Sequence, residues 1–527
     1  MLFLGYSDNL GSAGALDSRN GAVSGARADQ TNITLDGVDN NNQVTPSAFT
    51  GILRTTLDST EEFRVITSDA NADTGRSSGG QVNVLTRSGT NTMHGAIYEY
   101  NRNSLGLAND WFVKSGQIQS GLPNRPGELI RNTYGIRLGG PIKKDKIFLF
   151  GNYEGNRQNE SASVAQTVPT ASLAAGEVLY PDSNGSIVSL TPTQLAFMDP
   201  RCTANGTCPQ GPGDSPASLA LFKQYPAPNG FTLGDGYNTA SYTFSSPEPL
   251  IQNVYIARMD FNPSDKHRFY VRASMQNDQQ GLNAYFPGQP ASQTLTDDSR
   301  GIAANYTWTM KNNLVNNARY GFVRQSIATI GVGQGTYTTF TGLSTPVATT
   351  RNSSNTVPAN NIIDDLTWTK GRHTLQFGAN YRGYTFQSST DANSYSSGAG
   401  SANYLLNSGF AGIAGSSFDP GTFGFPAVND TFTTNYNNAV TMVAGLTDEE
   451  NGEYNYKVLA GTQSAGLLAA GAPVLRSFRA NELEYYIQDT FKATANLTIT
   501  AGLRHTILET PYEMNGQQVQ PSNNMNQ

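Results

Sequence analysis

A large antiparallel β-barrel that crosses a membrane, all-β in its bulk and preceded by a small α+β unit, is the fold this 527-residue sequence predicts. Three observations carry it. Segments in which apolar and polar residues alternate recur along most of the chain. The connections between those segments are short and long by turns, as in barrels with tight turns at one end and long loops at the other. The face opposite the apolar one carries charged residues that a dry core would not hold. The composition agrees. Charged residues make up only 14%, while Gly (54), Tyr (25) and Phe (24) are plentiful, which suits β-structure with long polar loops. A net charge of −7 offers no basic stripe for nucleic acid. No run of about 18 apolar residues occurs, so a transmembrane helix is excluded.

The first ten residues, MLFLGYSDNL, lack a basic n-region and a long apolar core, so no signal peptide is read there. Asn32 to Asp39 (NITLDGVD) reads as a strand running into an Asp-Gly turn. Asp58 or Ser59 is expected to cap one helical turn before a strand from Phe63 to Ile66. Gln81 to Thr86 reads as a further strand, closed by the turn Ser88-Gly89-Thr90-Asn91. A compact α+β unit over residues 1–92 is therefore expected, with the barrel occupying 93–527.

From His94 onward the alternation repeats. Ala96, Tyr98 and Tyr100 are read as one apolar face. Tyr134, Ile136 and Leu138 form another, as do Phe269, Val271, Ala273 and Met275, and Ile302, Ala304, Tyr306 and Trp308. Leu375, Phe377, Ala379 and Tyr381 oppose Asn380 and Arg382, and Leu497, Ile499, Ala501 and Leu503 oppose Arg504. Counting such segments predicts about eleven strands of roughly ten residues, long enough to cross a bilayer when tilted. Short connections fall near Lys143–Lys146, Asn262–His267, Lys311–Asn313, Lys370–His373 and Lys492–Asn496; long ones span about 103–131, 158–251, 278–299, 328–360 and 389–479. Arg137, Glu99, Arg258, Asp260, Arg272, Arg382 and Arg504 are placed inward, in a wet lumen or against a plug. Tyr100, Phe261, Trp308, Trp368, Tyr384 and Phe491 are placed in aromatic girdles.

Little else in the sequence suggests chemistry. His94, His267, His373 and His505 each sit near a strand end, and read as interfacial or turn residues rather than ligands or catalysts. No HExxH, GxSxG, P-loop or dinucleotide fingerprint occurs, so the chain is not read as an enzyme and no cofactor or metal is expected. Asp36, Asp39, Asn40, Asn41 and Asn42 lack the closing Glu of a calcium loop and read as a turn.

TLDGVDNN (Thr34 to Asn41), EEFRVITSDANADTGRSSGGQVNVLTRSGTNTMHG (Glu61 to Gly95), GGPIKKDKIFLFGNYEGNR (Gly139 to Arg157) and YIQDTFKATANLTITAGLRH (Tyr486 to His505) together resemble TonB-dependent outer-membrane receptors, specifically the Oar-like group. The resemblance covers nearly the whole chain and is weakest in the long loops. It implies a 22-stranded barrel filled by a plug, in the outer membrane of a Gram-negative-type cell. It also implies uptake of a small ligand (siderophore, oligosaccharide or peptide) energised through the TonB complex, by way of a segment not found here. An Oar-like surface adhesion or secretion protein, or a secreted glycan-binding β protein, are the other readings. Neither a TonB box nor a regulatory-like domain is found ahead of the plug stretch, so a fragment is expected: a partial plug and the first half of the barrel. Gly75, Arg76, Gly79, Gly80, Arg87, Gly89 and Asn91 are the gating candidates, because Gly-rich segments change φ/ψ at little cost. Tyr395 and Tyr404 are candidate ligand contacts on the long loops. Cys202 and Cys208, exported into an oxidising compartment, are read as a loop-closing disulfide, with two free thiols as the alternative.

Overall fold

The structure, a computed structural model, describes residues 23, 26–27, 30–44, 51–67, 70–75, 79–109, 111–119, 123–199, 213–406, 418–459 and 465–518. Two sheets dominate it. The smaller has four strands, β1 (Asn32–Leu35), β2 (Val38–Asp39), β3 (Thr60–Ile66) and β4 (Gln81–Thr86), in the order β2-β1-β4-β3. The β1–β2 hairpin turns at Asp36 (φ 54°) and Gly37 (φ 76°), the positive-φ pair that an Asp-Gly turn supplies. β4 lies parallel to β1 and antiparallel to β3. Ile33, Leu35, Ile52, Leu53, Val82 and Val84 form the core of this unit. The helical turn expected at Asp58 does not form. Thr56 and Ser59 instead exchange hydrogen bonds across a tight turn, and the strand starts at Thr60.

The larger sheet is a meander. Its strands are β5 (His94–Asn103), β6 (Leu129–Lys143), β7 (Ile147–Pro169), β8 (Thr239–Ser264), β9 (His267–Gly281), β10 (Arg300–Lys311), β11 (Leu314–Gly331), β12 (Ser353–Lys370), β13 (His373–Thr390), β14 (Val474–Lys492) and β15 (Thr498–Leu508). Each pairs antiparallel with the next. Of the 13 strands in this sheet, Gln293–Asp297 and Tyr512–Glu513 continue β10 and β15 across short breaks, leaving 13 − 2 = 11 staves. The strands run from 10 to 26 residues, longer than expected, because the ladders continue past the apolar belt into polar stretches such as Ser161–Thr167 paired with Ser241–Pro247. Connections at 144–146, 265–266, 312–313, 371–372 and 493–497 are short, and those between them long.

The wall is inside out relative to a soluble protein. Along β9, Phe269, Val271, Ala273 and Met275 are exposed, whereas Arg272, Ser274, Gln276 and Asp278 are buried. The outer face thus offers an apolar surface to lipid and the inner face holds the polar groups. The first strand departs from expectation. Ile97 is 85% exposed on the outer face, and its alternation places Glu99 outward beside it. Tyr98 and Tyr100 face inward, donating to Glu154 (2.9 Å) and Asp58 (3.4 Å). Tyr384, on the face of Arg382, also turns inward. Phe261, Trp308 and Phe491 do lie at the short-turn rim, where His267 stacks on Trp308 and His373 on Phe491.

The long loops fold together. Residues from 170–238, 332–352 and 391–473 build one external core containing Leu173, Tyr180, Leu195, Phe222, Phe340, Leu405, Tyr436 and Val443. Its longer helices are α1 (Pro192–Met198), α2 (Pro216–Phe222) and α3 (Thr433–Ala444). The sequence Thr191-Pro192-Thr193-Gln194 starts α1 with Pro at the first helical position and a capping box. The Tyr180 hydroxyl donates to the Pro426 carbonyl at 2.7 Å, and the Ser215 amide to the Val443 carbonyl at 2.8 Å, stitching two loops together.

Candidate functional site: the seal between plug and barrel

The four-stranded unit sits inside the curved wall of the larger sheet, and buried charge pairs make the join. On the inner face Arg258 and Arg272 stand opposite each other on β8 and β9. Two like charges so placed repel unless an acid lies between them. Asp36, carried on the β1–β2 turn, is that acid. Its carboxylate accepts from Arg272 Nε (3.0 Å), Arg258 Nη1 (3.4 Å), the Thr86 amide (2.8 Å) and the Thr86 hydroxyl (2.9 Å). Its backbone carbonyl accepts from the Tyr270 hydroxyl at 2.7 Å, and Arg258 lies 4.2 Å from the centre of that Tyr270 ring.

Two further clusters flank this one. Arg54 forms a two-pronged pair with Asp278, and its amide donates to Gln276 Oε1 at 3.0 Å. Gln276 in turn donates to the Ile52 carbonyl at 3.1 Å. Arg382 pairs with Asp39 (3.2 Å), Glu482 (3.2 Å) and Glu484 (3.9 Å). Arg504 pairs with Glu484 and donates to the Ala72 carbonyl at 2.8 Å. Arg319 pairs with Asp365 and reaches the Gly37 carbonyl at 3.3 Å. The lumen arginines read inward from the sequence are therefore the barrel's half of the seal. The plug's half was missed: Asp36 and Asp39 were read only as turn residues. The signal that could have found Asp36 is the cross-strand placement of Arg258 and Arg272: Asp260 on the same strand answers Arg258, and Arg272 needs an acid from elsewhere.

The predicted gating residues divide into two groups. Gly75 (φ 95°) follows the short helical turn Ala72–Thr74, and a Cβ there would lie 2.9 Å from Asn32 Nδ2. Gly79 donates to the Gln30 carbonyl at 3.2 Å, and the Gly80 carbonyl accepts from Asn32 at 2.9 Å. Arg76 lies outside the described residues. Gly89 and Asn91 instead meet the barrel at its short-turn end, while Arg87 braces the plug itself, at the start of its third strand. Arg87 Nε donates to the Thr60 carbonyl at 3.1 Å. A Cβ at Gly89 would lie 2.5 Å from the Leu149 carbonyl oxygen, so only glycine fits against the wall. Asn91 exchanges two hydrogen bonds with Asp145 in the β6–β7 turn.

On the outside, a cavity of about 700 Å³ opens in the folded loops, lined by Tyr337, Thr338, Ser397, Gly398, Glu450 and Asn451 among others. Neither tyrosine singled out from the sequence lines it. Tyr395 lies under Arg351, 4.4 Å from guanidinium carbon to ring centre, and donates to Gln334. Tyr404 packs against the loop core. Cys202 and Cys208 lie outside the described residues.

An eleven-strand wall with an apolar exterior, a charged interior and a domain seated in it defines an outer-membrane barrel with a plug. Residues 85–526 match the family described as outer membrane beta barrel domain, and the chain belongs to it. A 133-residue stretch, 25% of this chain, is 26% identical to the TonB-dependent transporter Oar of Myxococcus xanthus and covers 12% of that protein. Among solved structures, the outer membrane transporter YddB from Escherichia coli is similar in fold at 11% identity and a TM-score of 0.53, over 93% of this chain and 51% of that one. The ferripyoverdine receptor of Pseudomonas aeruginosa matches at 11% identity and a TM-score of 0.46, over 93% of this chain and 48% of that one. The chain thus spans about half the length of these structures.

Proposed function

We propose that the plug and barrel gate the passage of a small ligand across the outer membrane, with TonB supplying the energy that moves the plug. The observation that carries this reading is the character of the seal. Plug and wall meet through the buried pairs Asp36–Arg272, Arg54–Asp278 and Asp39–Arg382, while the plug's apolar cluster takes in Val323 of the wall and otherwise consists of plug residues. Such pairs hold firmly when dry and are weakened when water enters, because hydration restores what burial took away. In this reading Gly75, Gly79 and Gly80 belong to the part that moves, and Gly89 and Asn91 to the anchor about which it moves. The external cavity beside Tyr337 and Glu450 takes the ligand first, whether siderophore, oligosaccharide or peptide. The test is a tether. Thr56 of the plug donates to Asn152 of the wall at 2.9 Å. Thr56→Cys with Asn152→Cys, in a background where Cys202 and Cys208 are Ser, locks the two parts when oxidised. Cells are grown on a panel of iron–siderophore, oligosaccharide and peptide sources. Growth on a source that requires the wild-type gene should stop under oxidation and return under reduction. Unchanged growth of the locked variant on every such source would sink the transport reading. A cell-contact defect with no nutrient dependence would favour adhesion instead.

A further inference from the structure

The inner wall answers its opposed arginines, Arg258 and Arg272, with Asp36. The outer wall carries a second opposed pair. Arg300 on β10 faces Arg324 on β11. Arg300 shares its face with Ile302, which is 46% exposed. Arg324 alternates with the inward Val323 and Gln325, the latter bonded to Asn42 of the plug, so it too stands outward. Among the described residues neither guanidinium has an ion pair or a side-chain hydrogen bond. Asp298, the carboxylate two residues from Arg300, is held by the Asn277 side chain.

The height of the pair is set by the ladder. Tyr153, Tyr255, Met275, Arg300 and Arg324 occupy one cross-strand row. The next row toward the long loops carries Asn253 and Asn277. The arginines therefore sit in the last apolar row at the loop end, where an outer-face charge meets headgroups rather than acyl chains. Beside them the wall is hollow. A depression of about 670 Å³ is lined by Leu138, Gly151, Ala257, Ala273 and Ile302, with Arg300 on its rim. Gly151, Ala257 and Ala273 are neighbours across three strands, and a Cβ at Gly151 would meet nothing within 4 Å.

We propose that this depression, with Arg300 and Arg324, is a binding site for an anionic, phosphate-bearing acylated lipid of the outer leaflet. The phosphate bridges the two guanidinium groups, whose planar forks suit it, and relieves their repulsion. An acyl chain lies in the hollow over Gly151, Ala257 and Ala273. A free anion would satisfy the arginines and leave the hollow unused. The test uses the full-length protein extracted from outer membranes in mild detergent, stripped of lipid and followed by native mass spectrometry. Phosphatidylglycerol, phosphatidylcholine and inorganic phosphate are the probes. Phosphatidylglycerol should be retained in preference to phosphatidylcholine, and inorganic phosphate should not be retained at the same concentration. R300Q/R324Q should lower phosphatidylglycerol retention about tenfold, the worth of one charge-assisted contact. Gly151→Leu, whose Cβ has open space and whose side chain would occupy the hollow, should lower it as well. Heat-modifiable gel migration checks that both variants keep the barrel. Equal retention of the two lipids, or undiminished retention by either variant, overturns the proposal. Phosphate binding as tight as phosphatidylglycerol binding overturns it in favour of a free anion.

Discussion

Replacing Asp36 with Ala removes the acid from between the buried Arg272 and the partly exposed Arg258 and leaves the rest of the seal in place. The carboxylate it deletes accepts from Arg272 at 3.0 Å and from the Thr86 amide at 2.8 Å, and both Asp36 and Arg272 side chains are 1% exposed. Arg258 keeps Asp260 at 2.9 Å, but Arg272 is left with only the Ser274 hydroxyl and the Leu35 carbonyl. Removing one partner of a buried pair costs about 3–5 kcal/mol, most of it from the orphaned charge. At about 1.4 kcal/mol per factor of ten, opening of the plug strand Gln81–Thr86 should become on the order of 10²- to 10³-fold more frequent. Amide hydrogen exchange of that strand in detergent-solubilised protein reads this directly. Adding Arg272→Met to Asp36→Ala removes the stranded guanidinium and should slow exchange again. The reasoning is refuted if Asp36→Ala speeds exchange by less than about tenfold, or if the double variant exchanges as fast as the single one.

Two other outcomes follow from the folded loops. Leu173 is fully buried in their core, so Leu173→Ala should destabilise the cap by about 2–5 kcal/mol. Protease should then cut within 170–238 sooner, while the barrel keeps its heat-modifiable migration. Burial raises the Asp214 carboxyl from 3.8 to about 6. A raised acid binds its proton more tightly in the folded state, so its contribution is complete below 3.8 and is lost as pH rises through about 6. Exchange in α3, which is tied through Val443 to Ser215, should therefore quicken over that pH window. Asp214→Asn should abolish the pH dependence, and a dependence that survives it would place the titrating group elsewhere.

The wall was legible in the sequence because it is written in local alternation. Phe269 to Met275 shows its outer face by period two alone, and the opposing Arg272 shows its inner face. The loop rhythm gave orientation for the same reason, since turn residues such as Asp265-Lys266 announce themselves. The first strand misled because both its faces carry rings and charge. Tyr98 and Tyr100 look like a lipid face until Glu154 and Asp58, far along the chain or in the plug, claim their hydroxyls. Asp36 was hidden by its own turn: an Asp before Gly explains itself locally, and nothing nearby shows that its carboxylate reaches 236 residues ahead to Arg272. The cap was hidden most thoroughly, because Phe340 and Tyr436 join one core from loops that carry no shared pattern.

The stitched loops bear on how the protein matures. Leu173, Phe340 and Val443 meet from three loops whose roots lie on separate staves of the wall. Ring closure over such spans is an entropic burden that the finished wall lifts, by setting the loop roots side by side. The exterior should therefore consolidate last, as a seal of correct assembly. A wall with two staves mispaired would set those loop roots apart and leave the three side chains exposed, so misassembled protein should be cut in its loops by protease sooner than the native form.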